Sequence, residues 1–336
     1  TFIPVALFNL SPCYFELTNM TAQVTNGETI EFGYYPIVCN ITTERFSIQT
    51  LPSFQESIDQ VKNDPDVHND WIYPGAALQH NFISGETRSL PYKTRIFGLP
   101  KTHVLTLYKS QNREDLDFVV WCLSFFTGMR LTTTEAGFID ATPIKPGKLI
   151  DFVLSGCTLE NVINLAIDYL ESERDNFRSA KRVIAAIHAL FLSQFPQSLS
   201  FERFQYLYMA LDTCFKIIET KSNPNKRLNH AQRVQWMCQK FDIPVPAWAT
   251  TIDNKSEVSI VRNDTIHEAL FFDEPLGFSI YGGNQSTINN GNIILQMQNL
   301  ICRLLVAILG EPNSDYVKTS IESRMYQSLK LNAFSK

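Results

Sequence analysis

The sequence has no long apolar run, no paired cysteine spacing, no metal-binding string and no excess of basic charge. Each absence excludes a class of function. No window of about 18 uninterrupted apolar residues occurs, which argues against a membrane span. The strongest candidate, residues 293–310, is interrupted by Gln296, Gln298, Asn299 and Arg303. The seven cysteines, at 13, 39, 122, 157, 214, 238 and 302, show no CxxC and no paired spacing. A dispersed, odd set embedded in apolar segments predicts reduced, buried thiols and a cytoplasmic protein rather than a disulfide framework. Neither HExxH, nor DxDxDG, nor a Cys/His group at zinc-ligand spacing is present, so no metal and no cofactor is expected. A formal net charge of −5 argues against bulk nonspecific binding to nucleic acid but leaves local basic patches open. The N-terminal "TFIPVALFNLSPCYFEL" lacks the basic start and small-residue cleavage site of a signal peptide. It also begins without Met, which is compatible with processing or truncation upstream.

What is present is an ordinary globular composition, 44% apolar and 19% charged over 336 residues, long enough for two domains. The first part reads as β-rich. "AQVTNGETIEFGYY" alternates about Asn26-Gly27, a hairpin signal because both turn positions tolerate positive φ. "RFSIQTL", "TRIFGL" and "THVLTLYK" are further strand candidates, whereas residues 60–90 have loop chemistry throughout. A first helix is expected over "REDLDFVVWCLSFFTG", ending at Gly128. "ATPIKPGKL" then forms a connector, and the boundary is placed so that residues 1–150 are β-rich and residues 151–336 are a helical bundle.

From residue 158 the periodicity becomes helical. "TLENVINLAIDYLES" begins at a Thr cap, and "DNFRSAKRVIAAIHALFLSQF" carries Val183, Ile184, Ile187, Leu190 and Phe191 on one stripe. "SFERFQYLYMALDTCFKIIET" is long and aromatic-rich, and "NHAQRVQWMCQKF" is shorter. "IILQMQNLICRLLVAILG" stops at Gly310 and Pro312. The fold class expected is therefore α+β, a β-rich N-terminal domain followed by an all-α C-terminal bundle.

Between the last two helices lies "VRNDTIH". Arg followed by His after a few residues is weak by itself, since Arg182 and His188 repeat it within aliphatic sequence, where a core histidine is the simpler reading. Arg262 differs because Asn263 and Asp264 follow it, and because the segment trails the loop-like "PVPAWATTIDNKS". That placement suggests a helix start, where backbone donors favour anions.

Arg262-Asn263-x-x-x-His267 followed by "EALF" resembles the R-polar-x(3–5)-H signature of HEPN domains. "SFERFQYLYMALDTCFK" is similar to the preceding family helix, with Asp212 at a position that is frequently Glu. The resemblance covers roughly residues 158–310 and leaves the β-rich half unassigned. It implies a dimeric helical bundle and a metal-independent endoribonuclease of the kind found in phage-defence and toxin–antitoxin systems. Such an enzyme makes a 2′,3′-cyclic phosphate by attack of the ribose 2′-OH. In these terms His267 is the proton-transfer group, Arg262 holds the phosphate through its planar fork, and Asn263 donates to a nonbridging oxygen or orients His267. Asp212 and Asp264 are possible supports. A non-catalytic dimerisation or ligand-binding module is the alternative.

One geometric objection accompanies this reading. Five positions on an ideal helix set Arg262 and His267 about 140° apart, so the two converge only if the helix begins or distorts between them or a second protomer completes the site. For the RNA substrate, Arg174, Arg178, Lys181 and Arg182 fall at i, i+4, i+7 and i+8 and are expected on one helix face as backbone contacts. Glu171, Glu173 and Asp175 nearby would equally make that face a solvated one. Lys221, Lys226, Arg227, His230 and Arg233 add basic charge around the next turn and helix. A regulatory protein or trigger acting through the β-rich domain completes the expected partners. Asp273 and Glu274, before Pro275, read as a turn, and Gly282-Gly283-Asn284 lacks the preceding strand of a phosphate loop.

Overall fold

The computed structural model describes residues 27–94, 96–110, 112–134, 138–139, 141–156, 158–222, 227–272, 274–276, 293–322 and 327–331. The fold is mixed α+β, with antiparallel sheets in the N-terminal region and a largely helical C-terminal region. Two compact units divide the chain: Thr1–Leu116 with Thr132–Ile144, and Asp117–Leu131 with Lys145–Lys336.

The first unit is organised on a four-stranded antiparallel sheet. In chain order it carries β1 (Glu28–Phe32), β2 (Ile41–Thr42), β3 (Phe46–Thr50), a helix α1 (Phe54–Lys62), β4 (Val67–His68) and β5 (Trp71–Ile72). β6 (Ala76–His80), β7 (Thr87–Lys93), β8 (Ile96–Phe97) and β9 (His103–Leu107) follow. The sheet order is β1-β9-β3-β2, so β9 lies between strands distant from it in sequence. Its alternation sends His103, Leu105 and Leu107 to the buried side. β1 follows Asn26-Gly27 and pairs with β9, and the rest of the hairpin expected there lies outside the described residues.

Two expectations for this region are corrected. Residues 60–90 are not loop throughout, since they hold the end of α1, the small pairs β4–β5 and the β6–β7 ribbon. The ribbon escaped detection because nearly all its residues are exposed on both faces, which leaves no apolar alternation to read. α1 is likewise mostly polar, with Ser57, Ile58 and Val61 its buried residues.

His103 occupies an inward position of β9 with no measurable exposure. Its ring stacks on Phe32 at 5.6 Å and meets Tyr35 and Phe54, while Nδ1 lies 3.0 Å from Thr102 Oγ1. Burial pulls its pKa from the ordinary 6.5 down to about 4.

α2 (Arg113–Thr127) ends, as expected, at Gly128, whose φ of 61° is the left-handed conformation that closes a helix. A Cβ there would stand 2.7 Å from Ile150 Cγ1. β10 (Phe138–Ile139) pairs with β8, and β11 (Thr142–Pro143) with β5. β12 (Phe152–Leu154) begins the helical unit's own small sheet.

Besides α2 from Asp117 onward and β12, the helical unit holds α3 (Leu159–Ser172), α4 (Phe177–Leu192), α5 (Ser200–Ser222), α6 (His230–Lys240), α7 (Glu257–His267), β13 (Leu270–Phe271), β14 (Glu274–Pro275), α8 (Ile293–Leu309), α9 (Asp315–Lys318) and β15 (Gln327–Leu329). The expected Thr158 start of α3 is present, with the Thr158 amide donating to Asn161 Oδ1 at 2.9 Å. On α4 the apolar stripe is buried at Val183, Ile187, Leu190 and Phe191. α5 packs against α4, α6, α7 and α8, so its buried residues spread well beyond one stripe. α8 is buried along almost its whole length from Met297 to Leu309. A helix apolar on nearly all sides belongs at the centre of a bundle. Among the described residues no helix is long and apolar enough to cross a membrane. Cys39, Cys122, Cys214, Cys238 and Cys302 are free and buried.

Within α8, Arg303 is 1% exposed. Its Nη1 donates to Asp151 Oδ2 at 2.7 Å and to the Asn299 carbonyl at 2.9 Å. Nε donates to the Thr319 carbonyl at 2.9 Å, Nη2 reaches the Ser320 carbonyl at 3.3 Å, and the Tyr316 hydroxyl donates to the other Asp151 oxygen. Asp151 directly precedes β12, which pairs in parallel with β15 at Phe152–Gln327 and Leu154–Leu329.

Two measurements test these interior groups. Arg303→Ala, which leaves the part-buried Asp151 without its cation, is expected to cost about 3 kcal/mol in urea unfolding. For His103, the unfolded chain binds a proton more tightly than the folded one. Its contribution is therefore complete above the unfolded pKa of 6.5 and is lost as the pH falls through about 4. The urea midpoint of the wild type should drop over that interval, and His103→Leu should flatten the drop.

Candidate active site

Ser256 starts α7, with the Ser259 hydroxyl accepting from the Ser256 amide at 3.1 Å. The helix then runs without interruption through Thr265 to His267 and closes at Glu268, after which Ala269 adopts a φ of 55°. Arg262 and Asn263 thus sit in mid-helix and His267 at the C-terminal end. The expected placement at a helix start is corrected: the loop ends six residues before Arg262, and the first turn of the helix is Glu257–Ser259. The buried side of α7 is Val258, Ser259, Val261 and Thr265, while Asn263 and His267 face solvent and Arg262 is half-buried.

Arg262 nevertheless meets both expected partners within one chain. Its Nη1 lies 2.9 Å from Asn263 Oδ1 and 3.0 Å from His267 Nε2. This answers the 140° objection without a helix distortion or a second protomer. A Cβ on a helix tilts toward the N-terminus, so the His267 ring reaches back along the axis. The long arginine stem covers the remainder. A guanidinium only donates, so His267 accepts at Nε2 in this arrangement and its own proton sits on Nδ1.

The contacts continue inward. The Arg262 guanidinium stands 6.0 Å from the centroid of Tyr208 on α5. The Tyr208 hydroxyl is 2.8 Å from Nδ1 of His230, the first residue of α6, and Arg233 Nη1 is 3.2 Å from that same nitrogen. Arg233 also donates to Asp212 Oδ1 and lies over the Phe215 ring at 4.6 Å. Because Arg233 can only donate, His230 Nδ1 accepts and Nε2 carries the proton. Burial first, then the charge of Arg233, lowers the His230 pKa from its ordinary value, and Arg262 and Lys216 act in the same direction. Burial and the Asp212 charge push the Tyr208 hydroxyl up to about 12, so it remains protonated.

His267, Arg262, Tyr208, His230, Arg233 and Asp212 therefore form one chain of contacts across α7, α5 and α6. No family model, curated protein or solved structure matches this chain. The site is accordingly read from its own geometry.

Of the supports expected, Asp212 belongs to this network, engaged by Arg233. Asp264 is half-exposed on α7, and its side chain makes no hydrogen bond to a described residue. The basic stripe is corrected. α4 begins at Phe177 after the cap residue Asn176, which leaves Arg174 in the preceding turn and off the helix. Arg178 and Lys181 are exposed on α4, whereas Arg182 turns to α5 and reaches Thr220 Oγ1 at 3.2 Å. Lys221 pairs with Glu173 at 2.8 Å. His188 is half-buried and packs 5.3 Å from the Trp121 ring, and burial lowers its pKa to about 4, as for a histidine at the boundary of the core. Trp236 packs edge-on to Phe215, and buried Trp248 donates to Gln296 Oε1 at 2.8 Å. Glu274 lies in the β13–β14 hairpin, while Asp273, Gly282-Gly283-Asn284 and Lys226 lie outside the described residues. No three His, Cys, Asp or Glu side chains gather among the described residues as potential metal ligands.

The motif reading missed Tyr208 altogether and took His230 and Arg233 as surface charge. Spacing held a signal: Tyr208 and Asp212 are four apart on α5, His230 and Arg233 three apart on α6, and each pair shares a helix face. Long-range 15N–1H correlation spectra at neutral pH should show His267 as the Nδ1–H tautomer and His230 as the Nε2–H tautomer. Opposite tautomers would contradict the two arginine contacts.

Proposed function

We propose that the helical unit is a HEPN-like, metal-independent endoribonuclease. The observation that carries the reading is the 3.0 Å contact of Arg262 with His267 Nε2, with Asn263 on the same guanidinium. A phosphodiester would draw the Arg262 fork onto its nonbridging oxygens, since charge-assisted bidentate contacts outweigh a single bond to neutral imidazole. That movement uncovers the Nε2 lone pair of His267 next to the bound phosphate. His267 then takes the proton of the ribose 2′-OH, the 2′-oxygen attacks phosphorus, and the bond from phosphorus to the 5′-oxygen breaks. The departing 5′-oxygen takes a proton from solvent water and the His267 imidazolium gives its own back to solvent, leaving a 2′,3′-cyclic phosphate and a 5′-hydroxyl. Arg262 offsets charge on the phosphorane, and Asn263 donates to a nonbridging oxygen.

The proposal includes a cytoplasmic setting, a homodimer formed through the helical bundle, and a trigger or regulatory protein acting through the β-rich unit. A role in phage defence or a toxin–antitoxin pair is part of the same reading.

Purified protein should cleave single-stranded RNA in the presence of EDTA and leave cyclic phosphate ends. His267→Ala and Arg262→Ala should each lower the rate by roughly 10²–10⁴-fold, the range typical of losing a proton-transfer group or a phosphate clamp. Cleavage at an unchanged rate in His267→Ala would remove that residue from the chemistry. Faithful binding of RNA with no cleavage would favour a non-catalytic module.

A further inference from the structure

The two arginines around Tyr208 have more donors than their neighbours accept. Arg262 bonds to two neutral groups, Asn263 and His267, and forms no ion pair among the described residues. Its Nε is buried and has no hydrogen-bond acceptor, and the same holds for Arg233 Nε. Lys216 is paired with Glu219 at 2.8 Å, and among the described residues Asp212 is the single carboxylate in contact with either guanidinium. The Arg233 side chain is only 13% exposed. A buried N–H without an acceptor costs roughly 1–3 kcal/mol, and a shielded cation without a counter-ion costs more. Both are tolerated where an anion is expected to arrive. α6 begins at His230, capped by Asn229, so the positive end of an eleven-residue helix lies at the same place.

We propose that Arg233 and Tyr208, together with Arg262 and the first turn of α6, form a phosphate-binding site whose ligand is the phosphodiester of single-stranded RNA on which His267 acts. Its identification with RNA rests on the ribonuclease reading. Arg262 is shared between the site and the motif, with His267 on its solvent side and Tyr208 on its inner side. Arg233 supplies the second cation and Tyr208 a hydroxyl donor. His230 is a positioning residue: its Nδ1 lies 2.8 Å from the Tyr208 hydroxyl and 3.2 Å from Arg233 Nη1, and a phosphate that takes the Tyr208 proton leaves the single Nδ1 lone pair to Arg233. The phosphate clamp is thereby built from α5, α6 and α7 of one chain.

The test is binding to the full chain of a 2′-O-methyl oligoribonucleotide, which keeps the phosphodiesters but lacks the attacking hydroxyl. Adenosine 5′-monophosphate serves as the free-nucleotide arm. Affinity is read by calorimetry. Arg233→Met should weaken oligonucleotide binding about tenfold or more, and Tyr208→Phe about threefold, whereas Lys240→Gln, an equal loss of charge at the exposed far end of α6, should change it less than about twofold. Tyr208→Phe removes one hydroxyl and nothing else, so a loss there at an unchanged melting temperature separates binding from misfolding of Arg233→Met. Equal affinities in Arg233→Met and Lys240→Gln, or no binding by the wild type, overturn the site. Mononucleotide binding as tight as that of the oligonucleotide, with the same Arg233 dependence, overturns the assignment to RNA. Arg233-dependent oligonucleotide binding without cleavage of unmodified RNA supports the site and removes the ribonuclease reading. Cleavage that is indifferent to Arg233→Met does the reverse.

Discussion

The helical unit depends on one buried ion pair. Arg303 on α8 holds Asp151, which lies 152 positions earlier in the chain, and binds the carbonyls of Thr319 and Ser320 that follow α9. Those contacts bring the strand after Asp151 alongside β15, so the parallel β12–β15 pair forms between segments that no local turn could join. The desolvation of a guanidinium is large, and it is offset here because three backbone carbonyls and a carboxylate satisfy the fork and a tyrosine takes the second carboxylate oxygen. The arginine that interrupts the apolar run at 293–310 is thus the interior clamp of the bundle.

Against that frame α5 is the helix on which the site is mounted. Its apolar residues face α4 and α8, and Tyr208 and Asp212 are carried on a side reached by α6 and α7. Aromatic rings fix this edge: Phe204 lies 6.1 Å from Tyr208 and 5.8 Å from Phe271, which follows α7 in β13. The polar network is therefore built on rigid helices, where a guanidinium can be held without an acid partner. That arrangement separates Arg262 from the ordinary surface arginine, which takes a carboxylate or water.

Much of the helical half is legible in the sequence. Thr158 marks the start of α3 and Gly310 the end of α8, whereas the caps Asn176 and Asn229 of α4 and α6 emerge only in the structure. The stripe from Val183 to Phe191 reads directly as a buried face. In the β-rich half, β3, β8 and β9 were visible as β-branched and aromatic runs. α1 and the β6–β7 ribbon were not, because elements with little burial leave no periodic trace. At the site, Arg262, Asn263 and His267 were legible as a motif, but His230 and Arg233 looked like surface charge. Their importance comes from a tyrosine on another helix, more than twenty residues away.

What the sequence by itself determined is local: which segments become helices, where they are capped, and that a polar Arg-Asn-Asp stretch precedes a histidine within an otherwise apolar bundle. Tertiary structure decided which of those polar groups meet. Arg262 and His267 touch because a helix ends at His267, letting the ring turn back along the axis to a long flexible donor. His230, Arg233 and Tyr208 join them because α5, α6 and α7 pack on one another, and side-chain encounters across helices depend on packing angles that no single-helix periodicity encodes.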